Sequence, residues 1–283
     1  MLLTFLLFGG GFIYWFGLIA DLRRVAMGAA AILVLALGVM LADGGIDPRA
    51  IPFLVLAGLL AFALKRFDLG LWRYVGWTVF LALVLALGLR ILPFFTPVET
   101  IQTAEHLYRF PPEKVILMLL VPPMVLVPWA AQDSDQRPER PWRITLLILA
   151  GILVTVLPLA LITGFVRPGF AAQSAPFLAY WLAYNLIYTC VLEESFFRGI
   201  LQNALIRNLN VVVSSVAARF VGIAAASVLF GLAHFAGGTT YVILAAIAGV
   251  GYGLAYELTG RLHHAVLVHF AVNTAWLLAF SGA

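Results

Sequence analysis

Apolar blocks of about 20 residues, bounded by charges or turn-forming residues, follow one another along the chain. A block of this length crosses the hydrocarbon core of a bilayer as one α-helix. The pattern therefore predicts an all-α fold, a polytopic membrane helix bundle of about ten spans. The third block, "IPFLVLAGLLAFAL", is the shortest. The predicted spans lie near residues 2–20, 25–42, 51–64, 72–92, 115–131, 144–166, 176–197, 211–235, 240–258 and 264–280.

Composition agrees with a membrane protein and narrows the classes of partner. Hydrophobic residues make up 63% of the 283 positions and Asp, Glu, Lys and Arg only 11%, whereas an ordinary soluble domain is roughly 25% charged. The net charge is +4, but the basic residues lie between apolar blocks and form no stripe. Membrane topology explains them better than nucleic-acid binding does. We therefore expect the lipid bilayer, and no nucleic acid, as a partner.

Two hydrophilic stretches, "TPVETIQTAEHLYRFPPEK" and "AQDSDQRPERPWR", interrupt the apolar pattern. The second, rich in Pro and charge, predicts a connection between an N-terminal transmembrane bundle of unknown role, residues 1–132, and a second region, residues 144–283. The Lys and Arg residues of the loops favour a topology with both termini outside. The first block lacks a preceding basic segment, which favours an N-out anchor over a cleaved signal peptide. We expect an integral multi-pass protein of the bacterial inner membrane.

The segment "VLEESFFRGI" places three charges inside a predicted span. An ionisable residue within a span is a candidate functional residue, and it needs a partner. Glu194 and Arg198 are four residues apart, so on a continuous helix from about 176 to 208 they share a face and can pair. Glu193 is rotated by about 100° from Glu194. It has no local cation, so its partner must come from another helix.

Two histidines on later spans are candidates for that partner. His234 lies in "FGLAHFAGG", and His269 lies in "VLVHFAVNTAW". Imidazole beside a desolvated carboxylate can share a proton with it and help to draw a proton from water. His269 and Asn273 are four residues apart, so one helix face offers an imidazole and a carboxamide. Both can donate to an oxygen that develops negative charge, and the set as a whole suits acyl hydrolysis by water.

These residues also resemble the motifs of a known family. "EESFFRG" is similar to EExxxR, "FGLAH" to FxxxH and "HFAVN" to HxxxN, the motifs of the CPBP family of intramembrane glutamic endopeptidases, the CAAX protease and bacteriocin-processing group. Their order on successive apolar spans makes the resemblance specific. It covers the region from about residue 144 onward, whereas the first 130 or so residues show no matching motif.

The resemblance implies an intramembrane protease and assigns roles position by position. Glu193 is implied to activate water together with His234, and His269 and Asn273 to stabilise the oxyanion. The supporting residues are Glu194, Arg198 and Phe230. No metal and no cofactor is implied. The resemblance also implies a site that opens to the cytoplasm and a membrane-anchored or lipidated protein substrate. A prenylated CAAX tail, a C-terminal sorting signal, a pro-peptide and a membrane-bound regulator all stay open as that substrate.

Several alternatives stay open at this level. Each polar residue alone could be structural: Glu194 and Arg198 as a clip, Asn273 as interhelical glue. His234, His269 and Glu193 could form a His₂Glu zinc site. Cys190, the one cysteine, could be the nucleophile of a sortase-like transpeptidase, although no cation in "NLIYTCVL" would favour its thiolate. A proton-relaying transporter or an immunity-type protein is the non-enzymatic alternative, but the chain shows no inverted repeat.

Overall fold

The computed structural model describes residues 2–102, 107–126, 139–169 and 174–281. Ten α-helices, α1 to α10, lie within these residues. Eight of the described helices are long and apolar enough to cross a membrane, and Trp72–Gly88 is a shorter apolar helix. The prediction of an all-α, polytopic membrane fold is confirmed. The chain divides into two compact units, Met1–Ala130 and Ala131–Ala283.

The described residues of the first unit form five α-helices and one β-hairpin. Strands β1 and β2 pair in antiparallel fashion with Val98 opposite Phe110, within the first hydrophilic stretch, where the apolar pattern predicts no strand. The last helix keeps its path through Pro122 and Pro123 as far as Leu126, and the end of the predicted span 115–131 lies outside the described residues. The elements are α1 Leu2–Ile19, α2 Arg23–Ala42, α3 Ile51–Arg66, α4 Trp72–Gly88, β1 Val98–Gln102, β2 Leu107–Phe110 and α5 Pro112–Leu126.

The second unit contains the other five helices and all the motif residues. Its third helix, α8, packs along α9, and α9 also packs against α6 and α10. Two-residue strands β3 and β4 pair Arg167 with Ser281. The elements are α6 Pro141–Ile162, β3 Arg167–Pro168, α7 Ala175–Leu209, α8 Ser215–Leu232, α9 Thr239–Thr259, α10 Leu262–Ala279 and β4 Phe280–Ser281.

Helix α7, which carries both motif glutamates, is longer than a membrane crossing requires. It runs without interruption for 35 residues, which is about 50 Å of helix against a hydrocarbon core of about 30 Å. Two of its stretches, Asn185–Cys190 and Ser195–Gln202, are π-helical. π-Helical turns change the angular position of the residues around them, and they are frequent at functional sites. The motif glutamates lie between these two stretches, in Val191–Glu194.

The predicted span 211–235 is too long at both ends. The helix begins at Ser215, because the side chain of Ser214 caps it by accepting a hydrogen bond from the Ala217 N–H at 3.3 Å. It ends at Leu232, and the chain then turns through Gly238, which has φ +87°. Serine is a preferred N-cap residue, and the turn needs a positive φ that glycine tolerates. His234 therefore lies just beyond the helix rather than within it.

Candidate active site

One cavity in the second unit brings the predicted catalytic residues together. Its volume is about 290 Å³, and residues from all five helices of that unit, together with the turn after α8, line it. The motif residues in its lining are Glu193, Phe230, His234, His269 and Asn273. The spacing of the three motifs thus gathers side chains from α7, α8, α10 and the turn after α8 around one space. Glu194 and Arg198 lie outside the lining.

Glu194 forms a buried cluster with Arg198 and His269, named here the Glu194 cluster. Arg198 Nε donates to Glu194 Oε2 at 3.0 Å, the i, i+4 pairing that the sequence predicts. His269 Nδ1 lies 2.8 Å from Glu194 Oε1. An ionised carboxylate only accepts hydrogen bonds, so Nδ1 carries the proton. Glu194 therefore joins α7 to α10 and fixes the orientation of the His269 ring.

Arg198 is the largest fully buried side chain in the described residues. Its Cζ lies 5.4 Å from the centroid of the Phe230 ring, which is within the range of a cation–π contact. Its Nη1 and Nη2 atoms have no hydrogen-bond partner among the described residues. Gly249 of α9 makes room for it, since a Cβ at Gly249 would lie 3.3 Å from Arg198 Nη2. One turn further along α9, Gly253 makes room for Gln202, since a Cβ there would lie 2.8 Å from Gln202 Oε1.

Glu193 has a different environment from its neighbour. It is half-buried and lines the cavity. Its Oε2 is buried and has no hydrogen-bond partner among the described residues. A buried polar atom without a partner is costly unless water or a ligand satisfies it. Glu193 is thus the carboxylate of the motif that remains available to a molecule in the cavity.

His234 is held in a defined orientation at the end of α8. Its Nδ1 lies 2.8 Å from the backbone oxygen of Phe230, one of the terminal carbonyls that a helix leaves unpaired. A carbonyl only accepts, so Nδ1 carries the proton and Nε2 of the neutral ring is an acceptor. The Phe230 ring lies 4.7 Å from the imidazole and the Tyr241 ring 5.1 Å, between centroids. Phe230 therefore positions His234 through its backbone and its ring.

Asn273 contacts a residue that the sequence reasoning missed. Its Nδ2 donates to Asn185 Oδ1 at 3.4 Å, and Asn185 also accepts from Cys190 Sγ at 3.3 Å. Asn185, Thr189 and Glu193 all line the cavity. They are spaced by four residues, so they follow one face of α7. That spacing of polar residues in an apolar span was the signal that could have identified Asn185.

Aromatic rings pack around His269 and along the cavity wall. Tyr252 stacks on the imidazole at 4.5 Å with an interplanar angle of 15°, and Phe230 meets it edge-on at 5.6 Å. Tyr252 is almost fully buried. No motif or spacing in the sequence distinguishes Tyr252 from an ordinary packing tyrosine. Because Nδ1 is bonded to Glu194, Nε2 is the His269 ring nitrogen that points away from Glu194.

The geometry also bears on the alternative chemistries. Within the described part of the chain, no group of three His, Cys, Asp or Glu side chains is placed to hold a metal ion, so a His₂Glu zinc site has no ligand set there. Cys190 is fully buried and is not part of the cavity lining. Its thiol donates to Asn185 and has the surroundings of a packing residue. His264 also lies outside the cavity lining and is a buried packing residue, with its Nδ1 2.7 Å from Thr145 Oγ1.

Comparison with known proteins gives a family for the segment that holds the site. Residues 175–275 match the profile of a family described as type II CAAX prenyl endopeptidase Rce1-like. No curated protein and no solved structure matches the chain. The matched segment contains the three motifs. Together with the eight candidate membrane spans, the match indicates an integral multi-pass membrane protein of the protease class. Residues 175–275 thus carry the signature of the Rce1-like CAAX endopeptidases, and the resemblance to the CPBP family is confirmed over this segment.

Proposed function

We propose that the protein is an intramembrane endopeptidase of the glutamic type, in which Glu193 and His234 activate a water molecule. The observation that carries the proposal is the contrast between the two adjacent glutamates. Glu194 is neutralised by Arg198 and His269, whereas Glu193 presents an unpartnered oxygen in a cavity that also holds His234. The family match over residues 175–275 supports the same reaction class.

In the first step, water bound between Glu193 and His234 Nε2 gives a proton to the Glu193 carboxylate, and its oxygen attacks the carbonyl carbon of the scissile bond. The electron pair of the carbonyl moves to its oxygen, which becomes the oxyanion. Glu193 then delivers the proton to the leaving nitrogen, the oxyanion re-forms the C=O bond as the C–N bond breaks, and an acid and an amine are released. Because the same groups take and return the proton, hydrolysis needs no metal in this scheme.

Donors for the oxyanion come from α10. Asn273 contributes its amide N–H, and His269 contributes Nε2–H when the ring is doubly protonated, since Nδ1–H is already bonded to Glu194. An imidazolium at His269 also balances the charges of the site. Two carboxylates, Glu193 and Glu194, then face two cations, Arg198 and His269. A neutral total suits a site within a low-dielectric environment.

The proposed substrate is a membrane-anchored or lipidated protein. Bulky aromatic residues, Trp181, Tyr241 and Trp276, line the cavity beside the polar set, and apolar walls with a few placed polar groups are typical of ligand sites. A CAAX-type tail and a C-terminal sorting signal are two candidate substrate types. Both present a short peptide next to a membrane anchor.

The proposal is tested by mapping protein termini in membranes of cells that express the native chain or a variant. We expect Glu193→Gln to lower the rate at which specific new termini appear by about 100- to 10,000-fold, the usual contribution of a general base, and His234→Ala to have a similar effect. Glu257→Gln is the matched control, because Glu257 pairs with Arg219 at 3.1 Å, away from the cavity. New termini that persist at the native rate in Glu193→Gln would exclude the glutamic mechanism.

The same assay separates the alternative functions. Loss of cleavage on chelation, restored by zinc, would indicate the His₂Glu site. Loss in Cys190→Ser with retention in Glu193→Gln would indicate the sortase-like reaction. A native chain that generates no new termini, while its expression changes proton or solute uptake in a Glu193-dependent way, would indicate a transporter.

A further inference from the structure

We infer that the catalytic cavity opens on the non-cytoplasmic face of the membrane, and that the peptide cleaved there belongs to the extracytoplasmic part of an anchored protein. The orientation rests on the geometry and charge of the second unit alone. The statement about the substrate also rests on the proposed function. The basis is the position of the cavity along the five helices, compared with the position of the basic residues at their ends.

The cavity lies in one half of the helix bundle of the second unit. From its deepest residues, Tyr252 and His269, the lining continues along α9 to Tyr241 and along α10 to Trp276. The interval from Tyr252 to Tyr241 corresponds to about 16 Å of helix. Exposure rises in the same direction, from 2% for Tyr252 to 36% for Tyr241. The cavity therefore opens towards the end where α7 and α9 begin and α6, α8 and α10 end, named here the open end.

Packed side chains close the cavity towards the other end, named here the closed end. Below the Glu194 cluster, Gln202 and Thr259 have no exposed surface, and Ala255 and Val266 are equally buried. Gln202 Nε2 donates to the Gly253 oxygen at 3.2 Å and joins α7 to α9 across this layer. A substrate segment approaching from the closed end would have to displace these contacts.

The basic residues of the second unit are concentrated at the closed end. Within the described residues, Arg167 is the one Lys or Arg in the connections of the open end, whereas the connections and helix termini of the closed end carry Arg140, Arg143, Arg207 and Arg261. Lys and Arg close to the ends of spans are retained on the cytoplasmic side, which sets orientation. The closed end is therefore cytoplasmic, and the open end faces the other side.

This orientation defines the substrate more narrowly than the family resemblance does. A prenylated CAAX tail is attached on the cytoplasmic side and could not enter a cavity that opens on the opposite face. The resemblance implies a cytoplasmic opening, whereas the positions of the cavity and of the basic residues point to the opposite face. The fitting substrate is a peptide segment next to an anchor on the outer leaflet. Tyr241, Trp181 and Trp276 lie towards the open end of the cavity, as is usual for aromatic residues at a membrane–water interface.

Thiol labelling in intact cells tests the orientation without any assay of activity. The one native thiol, Cys190, is fully buried, so the native chain is the unlabelled control. Thr239→Cys introduces a thiol at the open end and Asn210→Cys at the closed end, both at exposed positions. We expect a membrane-impermeant maleimide to label Thr239→Cys in intact cells and Asn210→Cys only after permeabilisation. The reverse pattern would overturn the inference.

A second measurement gives an answer even if neither thiol reacts. Since α10 ends at the open end, alkaline phosphatase fused after Ala283 should be active, and green fluorescent protein fused there should be dark. An inactive phosphatase fusion together with a fluorescent green fluorescent protein fusion would equally overturn the inference.

Mapped termini then test the substrate class. We expect Glu193-dependent termini in extracytoplasmic segments next to an anchor, and termini in cytoplasmic prenylated tails would contradict this. The absence of any Glu193-dependent terminus would contradict the proposed function and leave the labelling result to decide the orientation.

Discussion

Two adjacent carboxylates of α7 lie in opposite environments. Glu194 is fully buried, bonded to Arg198 at 3.0 Å and to His269 at 2.8 Å. Glu193 lines the cavity and has an oxygen without a partner among the described residues. A step of one residue rotates a side chain by about 100° around a helix, which is enough to place one carboxylate in a packed interface and the next in a cavity. Pairs of titratable groups in contrasting environments are how enzymes separate structural and catalytic roles.

The contrast between the two carboxylates predicts that the Glu194 cluster contributes strongly to the free energy of unfolding. We expect Glu194→Gln to lower the free energy of unfolding by about 3–5 kcal/mol, because it leaves the buried Arg198 without its counter-charge. Thermal unfolding in detergent measures the effect. Glu257→Gln, which breaks a pair whose arginine is 57% exposed, should cost about 1 kcal/mol or less. Equal losses in the two variants would show that burial of the cluster contributes nothing.

On the cavity side, Asn273 is expected to act in the transition state. Asn273→Ala removes one oxyanion donor and should lower kcat by about 100- to 1,000-fold, with little change in KM. Steady-state cleavage by purified protein measures it. Asn208→Ala is the control, since that exposed amide bonds only within its own helix, to the Ala204 oxygen. A rise in KM at constant kcat would assign Asn273 to substrate binding instead.

The packing around Gln202, one turn after Arg198 on α7, should be sensitive to a single added methyl group. A Cβ at Gly253 would lie 2.8 Å from Gln202 Oε1 and 3.0 Å from Ile223 Cγ2, so Gly253→Ala should destabilise the protein by about 1–3 kcal/mol through overpacking. Gly151 of α6 has nothing within 4 Å of the same position. Gly151→Ala should therefore be neutral or stabilising by up to about 1 kcal/mol. The melting temperatures of both variants, measured together, test this difference.

The smallest effect is expected from Asn185, which positions Asn273. Asn185→Ala removes the acceptor of a 3.4 Å hydrogen bond and should lower kcat by about tenfold, equivalent to roughly 1 kcal/mol, at unchanged KM. Asn203→Ala is the control, since that amide of the same helix donates to the Gly199 oxygen and to the Tyr256 hydroxyl and does not line the cavity. If Asn203→Ala lowered kcat as much as Asn185→Ala, the effect would come from packing and not from positioning.

Features that depend on local spacing could be predicted from the sequence. The apolar blocks identify the spans, and the i, i+4 rule identifies the pair of Glu194 and Arg198. The contact between His269 and Glu194 spans 75 residues of sequence, and it depends on how α7 and α10 rotate and slide against each other, which no local pattern specifies. The catalytic roles of Glu193 and His234 remain predictions.

Other differences have equally specific causes. The run Val211–Val213 is apolar and was assigned to a span, yet Ser214 caps the helix after it. The β1–β2 hairpin lies in a stretch whose composition indicated only a polar connection. The predicted boundary between the regions 1–132 and 144–283 is the segment 133–143, whose residues 133–138 lie outside the described residues. The role of the first unit is a question for experiment.

The most direct measurement compares Glu193→Gln and Glu194→Gln side by side, with cleavage rate per folded molecule and melting temperature recorded for each. Glu193→Gln should retain the native melting temperature and lose cleavage by about 100-fold or more. Glu194→Gln should show its main effect as a lowered melting temperature. A Glu193→Gln protein that cleaves at the native rate per folded molecule would contradict the assignment of the catalytic carboxylate.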